Sequence, residues 1–173
     1  MTEIEEILGS KIKPKEKMFL LAAKLKEEDD LMDKMTAYFS KASIANRGTC
    51  MEAIANITGD NPKFAEHHLD FIIEQLDDKA PRVKWEAATV IANVVKEYPG
   101  KVSEAIPRLL DNTKHEGTVV RWSAARALTK IAVNNPSKQS ELITIFNKIV
   151  DKEENNGVKN VYLKAMKTIA RNK

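Results

Sequence analysis

Few side chains in this chain could carry out chemistry, and their spacing argues against most of what they could do. Cys50 is the single cysteine, so neither an internal disulfide nor a thiolate-rich metal site can form. The histidines are His67, His68 and His115. Neighbouring positions on a helix diverge by about 100°, so His67 and His68 do not converge on one metal. His115 is followed by Glu116, a pair that could supply two ligands. The positions 37 residues to either side hold Asp78-Lys79 and Lys152-Glu153, so the pair is not repeated. The six glycines are scattered and build no phosphate-cradling loop. No catalytic residue, metal ligand or cofactor is expected, and what remains is the chemistry of binding. Trp85 and Trp122 lie 37 positions apart. Tryptophan and arginine are typical anchors of interfaces, and Arg126 follows Trp122 by one helical turn.

The tryptophans belong to a repeated unit. VVRWSAARALTKIA (119–132) recurs 37 positions earlier as RVKWEAATVIANVV and 37 earlier again as NRGTCMEAIANI, where Gly48 replaces the tryptophan. Towards the C-terminus the frame slips by one, and VKNVYLKAMKTIA (158–170) aligns with residues 120–132. Cys50 shares its register with Ala87 and Ala124 and reads as a small core residue, not a nucleophile. Apolar residues recur at three and four rather than at two, which predicts helices. A helix precedes each copy, carrying Met32, Met35 and Phe39, then Leu69, Ile72 and Leu76, then Ile106 and Leu109, then Ile143, Phe146 and Val150. The chain divides into helix pairs at about 30–58, 62–97, 101–134 and 138–171, with residues 1–28 as an N-terminal cap or half repeat. Start and stop signals support the division. Thr2 and Glu5 have capping-box spacing; Pro14, Pro62 and Pro81 suit first helical positions, with Asn61 as the N-cap before Pro62. Pro99-Gly100 reads as a stop, Ser103 and Thr118 as N-caps, Pro136-Ser137 as a boundary, and Asn155 to Gly157 as the last turn. A single pair cannot bury its apolar face, so the pairs must stack around one core.

Composition agrees with a folded all-helical protein: 43% hydrophobic, 31% charged and only 6% aromatic over 173 residues. A net charge of +3 is too small to infer a nucleic-acid partner from the total. The amino terminus, MTEIEEILGS, is acidic where a signal peptide is basic, and no apolar run approaches the roughly 18 residues of a membrane span. A cytoplasmic protein without membrane contact is expected.

Two stretches, DDKAPRVKWEAATVIANV and HEGTVVRWSAARALTKIA, carry a specific pattern: an acidic turn, Val followed by Lys or Arg, paired alanines and an aliphatic run. It resembles HEAT repeats, over about 140 residues and with a period slightly below the roughly 40 to 47 usual for them. The resemblance implies one domain over residues 1–173, an all-α right-handed solenoid (α-α superhelix) of four HEAT-like helix pairs plus the N-terminal cap. In such a solenoid the second helices line the concave side. It also implies a structural ladder at Arg47, Lys84, Arg121 and Lys159, where the family places a cation that bonds the preceding turn. The turn before Arg121 departs from the pattern, with His115, Glu116 and Gly117 in place of its aspartate. Some relatives of this architecture are enzymes. In the HEAT-like alkylpurine DNA glycosylases of bacteria a catalytic aspartate shares a basic, Trp-bearing concave face, whereas here Thr89 and Arg126 stand one turn beyond the tryptophans. The HEAT enzyme that hydroxylates deoxyhypusine repeats its His-Glu pair, and this chain has one.

At about 100° per residue, Val83, Ala87, Val90, Ile91 and Val94 share one face of their helix, and Trp85, Thr89, Ala92 and Lys96 share the opposite one. The corresponding outward sets are Gly48, Glu52, Ala55 and Gly59 in the first copy, Trp122, Arg126, Thr129 and Val133 in the third, and Asn160, Lys164, Lys167 and Arg171 in the last. The surface therefore grades from small and neutral, through two tryptophans, to basic. Residues 118–137 and 157–173 contain no acid, while 62–78 carries Glu66, Asp70, Glu74, Asp77 and Asp78 against Lys63. The alternative is structural, with each Trp lying over the neighbouring repeat and the lysines solvating an end. The expectation is a non-catalytic protein-protein interaction scaffold. Its partner-binding residues are Trp85, Thr89, Lys96, Trp122, Arg126, Lys164, Lys167 and Arg171, and its partner is an acidic or amphipathic protein or peptide. The runner-up is a nucleic-acid-binding protein of the glycosylase-like fold without a recognisable catalytic Asp.

Overall fold

A computed structural model describes all 173 residues, as helices joined by short turns and without a strand. The helices are α1 (Glu3–Gly9), α2 (Pro14–Glu27), α3 (Leu31–Phe39), α4 (Ile44–Asp60), α5 (Leu69–Glu74), α6 (Pro81–Val94), α7 (Pro99–Val102), α8 (Ile106–Asn112), α9 (Thr118–Asn134), α10 (Pro136–Lys152) and α11 (Asn156–Arg171). Three 3₁₀ segments, Pro62–His68, Gln75–Asp77 and Ser103–Ala105, extend α5 on both sides and join α7 to α8.

Helices α2, α4, α6, α9 and α11 lie side by side in that order, forming one layer of second helices. Each of α4, α6, α9 and α11 is paired with the element before it: α3, the α5 segment, α7–α8 and α10. The N-terminal segment is itself a short pair, since α1 packs on α2 and α2 packs directly on α4. Alanines let this layer close up. Ala87 and Ala88 in α6, and Ala124, Ala125, Ala127 and Ala132 in α9, are all buried, and small side chains permit near approach of helix axes. Forty-five buried residues, from Ile4 to Ile169, form one continuous apolar cluster along the stack. Cys50 is fully buried in it, and burial pushes its thiol up to about 12. At the same register in the last copy stands Tyr162, packed on Phe146 at 5.0 Å between ring centroids; its hydroxyl has no hydrogen-bond partner.

Helix starts follow local chemistry. The Thr2 hydroxyl accepts from the Glu5 amide at 3.3 Å while the Glu5 carboxylate takes the Thr2 amide at 2.7 Å, a complete capping box. Ser43 and Asn155 cap α4 and α11 through the amides of Asn46 and Val158. Other start signals in the sequence need correction. Asn61 makes no side-chain cap; its carbonyl takes the Phe64 amide at 3.1 Å and the chain enters a 3₁₀ turn. Pro99 opens α7 instead of ending a helix, because its fixed φ suits a first turn. Ser103 lies in the following 3₁₀ turn and donates back to the Gly100 carbonyl at 2.6 Å. Thr118 is the first residue of α9, and Gly117 holds the cap position. No helix is long and apolar enough to cross a membrane.

Candidate functional site

The cations at the start of the second helices tie the stack together along one edge. Arg47 holds Asp78 with two hydrogen bonds, Nε to Oδ2 at 2.9 Å and Nη2 to Oδ1 at 3.0 Å, and reaches the Ala42 carbonyl of its own turn at 3.1 Å. Arg121 repeats this with Glu153, at 2.9 and 3.2 Å, and with the carbonyls of His115 and Glu116. Each arginine thus bonds its own turn and the turn of the next pair. Burial opposes ionisation of Glu153, but the Arg121 hydrogen bonds and the Asn155 amide outweigh it and hold the carboxyl below the usual range.

The middle rung is chemically different. Asp78 and Glu153 each also accept the backbone amide two residues on, from Ala80 at 2.8 Å and Asn155 at 2.9 Å. His115 performs that second task alone: its Nδ1 accepts the Gly117 amide at 2.8 Å. Lys84 bonds the Leu76 carbonyl at 3.0 Å and the Asn112 carbonyl oxygen at 3.1 Å instead. Lys159, the fourth expected rung, makes no side-chain bond and corrects that part of the ladder; within these 173 residues no turn follows α11 for it to reach.

On the second-helix layer, both tryptophans lie outside the apolar cluster. Trp122 is 43% exposed, whereas Trp85 is half-buried and its indole N–H donates to Glu86 at 3.1 Å. Thr89 is half-buried, bonding the Trp85 carbonyl at 2.9 Å. Four residues expected on the outward stripes are instead covered. An Arg82–Glu52 ion pair spans α6 and α4 and lays the Arg82 side chain over Gly48, where an added Cβ would come within 2.8 Å of the arginine Cδ. Asn93 covers Ala55 by donating to its carbonyl at 3.1 Å. Ala92 and Thr129, 6% and 5% exposed, are enclosed where α9 packs between α6 and α11.

Where Thr129 fails, the next residue succeeds. Trp122, Arg126 and Lys130 lie at i, i+4 and i+8 on α9, and Lys130 is exposed. It meets two expected residues, for Lys96, Lys130 and Lys164 line a single groove of about 370 Å³ with Thr129, Val133, Asn134, Ala165 and Thr168. Three successive pairs each contribute one ammonium group. No carboxylate lines the groove, and none of the three lysines belongs to an ion pair. The lysines are 34 residues apart against a repeat of 37 and then 38, so each stands about one helical turn (roughly 5 Å) nearer the helix N-terminus than the last. They form a diagonal. Lys167 lines a separate depression with Asn147, Asn160, Leu163 and Met166, to which Lys164 also contributes, and Arg171 is exposed at the end of α11.

Sequence reasoning missed Lys130 and Glu86. Lys130 falls one residue beyond the stripe drawn from Trp122, and the i+8 spacing would have found it. Glu86 stands where the third copy has the buried Ser123; burial pushes its carboxyl up, against the lowering effect of the Trp85 hydrogen bond. No group of three or more His, Cys, Asp or Glu side chains is placed to hold a metal ion.

Comparison with known proteins places the architecture. An engineered protein solved by crystallography superposes with a TM-score of 0.73 at 22% identity, covering 95% of this chain and 80% of its own. A designed armadillo repeat protein in complex with the peptide (KR)4 gives 0.69 at 21% identity, covering 94% and 79%. For a further designed armadillo repeat protein the score is 0.64 at 22% identity over 77% of this chain, which spans 62% of that protein's length. These likenesses show the fold alone, an armadillo- or HEAT-like repeat solenoid. No curated protein matches the sequence. The family model described as HEAT repeats matches residues 69–167, more than half of the chain, and the protein belongs to the HEAT-repeat family.

Proposed function

We propose that the protein is a non-catalytic scaffold that holds an acidic, extended protein segment across its second-helix layer. The observation that carries this reading is the convergence of Lys96, Lys130 and Lys164, unpaired and without a carboxylate in their shared groove. Stacked repeats present long surfaces suited to extended peptides, and a groove lined by one sign of charge selects the opposite sign. The designed relative bound to (KR)4 takes a basic peptide, so a related architecture can receive an extended chain, and the lysines here reverse the charge required. Trp122 and Arg126 extend the same stripe of α9 beyond the groove and supply the aromatic and bidentate anchors.

The diagonal sets a spacing for the ligand. Helix axes packed about 8 to 10 Å apart, with a stagger of roughly 5 Å, separate successive lysines by about 10 Å. That is about three residues of extended chain. Peptides with Asp or Glu at every third position match the groove. With Trp85→Phe as background, quenching or enhancement of Trp122 fluorescence on titrating such a peptide measures its affinity. A register-scrambled peptide of equal charge is expected to bind at least fivefold more weakly, and Lys130→Glu to reduce affinity tenfold or more.

Nucleic acid is the second reading, favoured by the exposed ring of Trp122 near unpaired lysines, since bases stack on aromatic side chains. A single-stranded oligonucleotide that binds more tightly than every acidic peptide, with a steep loss in added salt, would replace the peptide reading.

A further inference from the structure

A second basic cleft, sharing no lining residue with the lysine groove, opens where the turn between α8 and α9 faces the C-terminal half of α10; its volume is about 540 Å³. Lys114 comes from the turn. Lys148 and Lys152, four residues apart, stand on one face of α10 with Ile145 and Ile149 beside them. None of these lysines is ion-paired. The wall carries Arg121 and Glu153, which neutralise one another, and Glu154 at the rim offsets one lysine, so the lining retains two positive charges. His115 adds a donor: because its Nδ1 accepts the Gly117 amide, the ring proton sits on Nε2.

The stack contains its own control. An equivalent cleft lies between the first and second pairs, with Arg47 and Asp78 on its wall. There Ser40 stands at the register of Lys114 and Glu74 at that of Lys148, and Phe39 and Phe71 meet edge to face at 5.1 Å. Stacking a turn against the next first helix therefore makes the cleft, and of these two copies the C-terminal one alone is cationic. Three neighbouring ammonium groups offset by a single carboxylate, Glu154, raise the energy of the free protein, and a dianion relieves it.

We propose that this cleft binds a phosphate monoester whose organic body is small and apolar, the phosphate between Lys114, Lys148 and Lys152 and the body on Ile145 and Ile149. A phosphate monoester is a dianion above its second pKa of about 6, matching the charge of the lining. The proposal is independent of the peptide groove.

Phenyl phosphate, phenyl sulfate and inorganic phosphate serve as probes, followed by calorimetry and by methyl NMR of isoleucine. Phenyl phosphate is expected to shift the Ile145 and Ile149 methyls and to bind at least tenfold more tightly than its monoanionic isostere phenyl sulfate. It should also outbind inorganic phosphate by threefold or more, and weaken severalfold between pH 7 and pH 5 as the phosphate gains a proton. Lys148→Gln with Lys152→Gln, both at surface positions, should remove the binding with an unchanged melting temperature. Equal affinity for phosphate and sulfate esters, binding indifferent to the double substitution, or inorganic phosphate as good as the ester would each overturn the proposal. So would the absence of any shift at the two isoleucines.

Discussion

His115 shows how much one side chain can keep while giving up its charge. Asp78 and Glu153 each cap a backbone amide and pair with an arginine; His115 caps Gly117 and pairs with nothing. His115→Ala is expected to lower stability by about 1 kcal/mol, the usual worth of a capping acceptor, while His115→Asp should stay within a few tenths. Urea unfolding of the two variants makes the comparison. Glu153 carries a pH signature. Its carboxyl is held below the unfolded value, so its contribution is complete above about pH 4.5 and is lost as pH falls through the folded value. Stability of the wild type should therefore drop below pH 4.5, and Glu153→Gln, less stable at pH 7, should show a shallower drop. Tyr162 supplies the opposite case, because its hydroxyl is buried without a partner. Tyr162→Phe removes an unsatisfied group and is expected to be neutral or stabilising by up to about 1 kcal/mol in the same assay.

At the scale of elements, apolar spacing made the second helices legible, since α4, α6, α9 and α11 repeat one pattern of small and branched residues. The first helices were harder to read. Prolines at 62, 99 and 107 remove amide donors, and the pairs that hold them begin as 3₁₀ turns or as a helix broken at Ser103. A tally of apolar residues does not register that break. Part of the lysine groove was legible too, because Lys96 and Lys164 lie on the outward stripes. Their meeting with Lys130 was not, since it depends on the stagger between neighbouring helices, which no single helix encodes. The same close packing makes α9 intolerant of bulk: Ala125 is fully buried in the middle of the layer, and Ala125→Leu is expected to cost about 1 to 3 kcal/mol in urea unfolding.

For the whole molecule, the single apolar cluster from Ile4 to Ile169 leaves no pair with a core of its own. Trp85 and Trp122 report on neighbouring pairs, and variants that keep only one of them should unfold with coincident midpoints in urea; separated midpoints would reveal pairs that open independently. The linkages are unevenly distributed. Arg47, Lys84 and Arg121 join successive turns along one edge; at the other end Asn93 ties α6 to α4 through the Ala55 carbonyl at 3.1 Å and the Thr58 hydroxyl at 3.2 Å, but beyond α6 the ties are weaker, such as the Asn135 side chain on the Pro99 carbonyl at 3.4 Å. The stack is thus stitched along one border and, from α6 to α11, only lightly tied at the other, like pages held at a spine. Lys96, Lys130 and Asn134 lie towards the lightly tied border, so any fanning there would lengthen the lysine diagonal, and a ligand that bridges it would set the curvature of the protein.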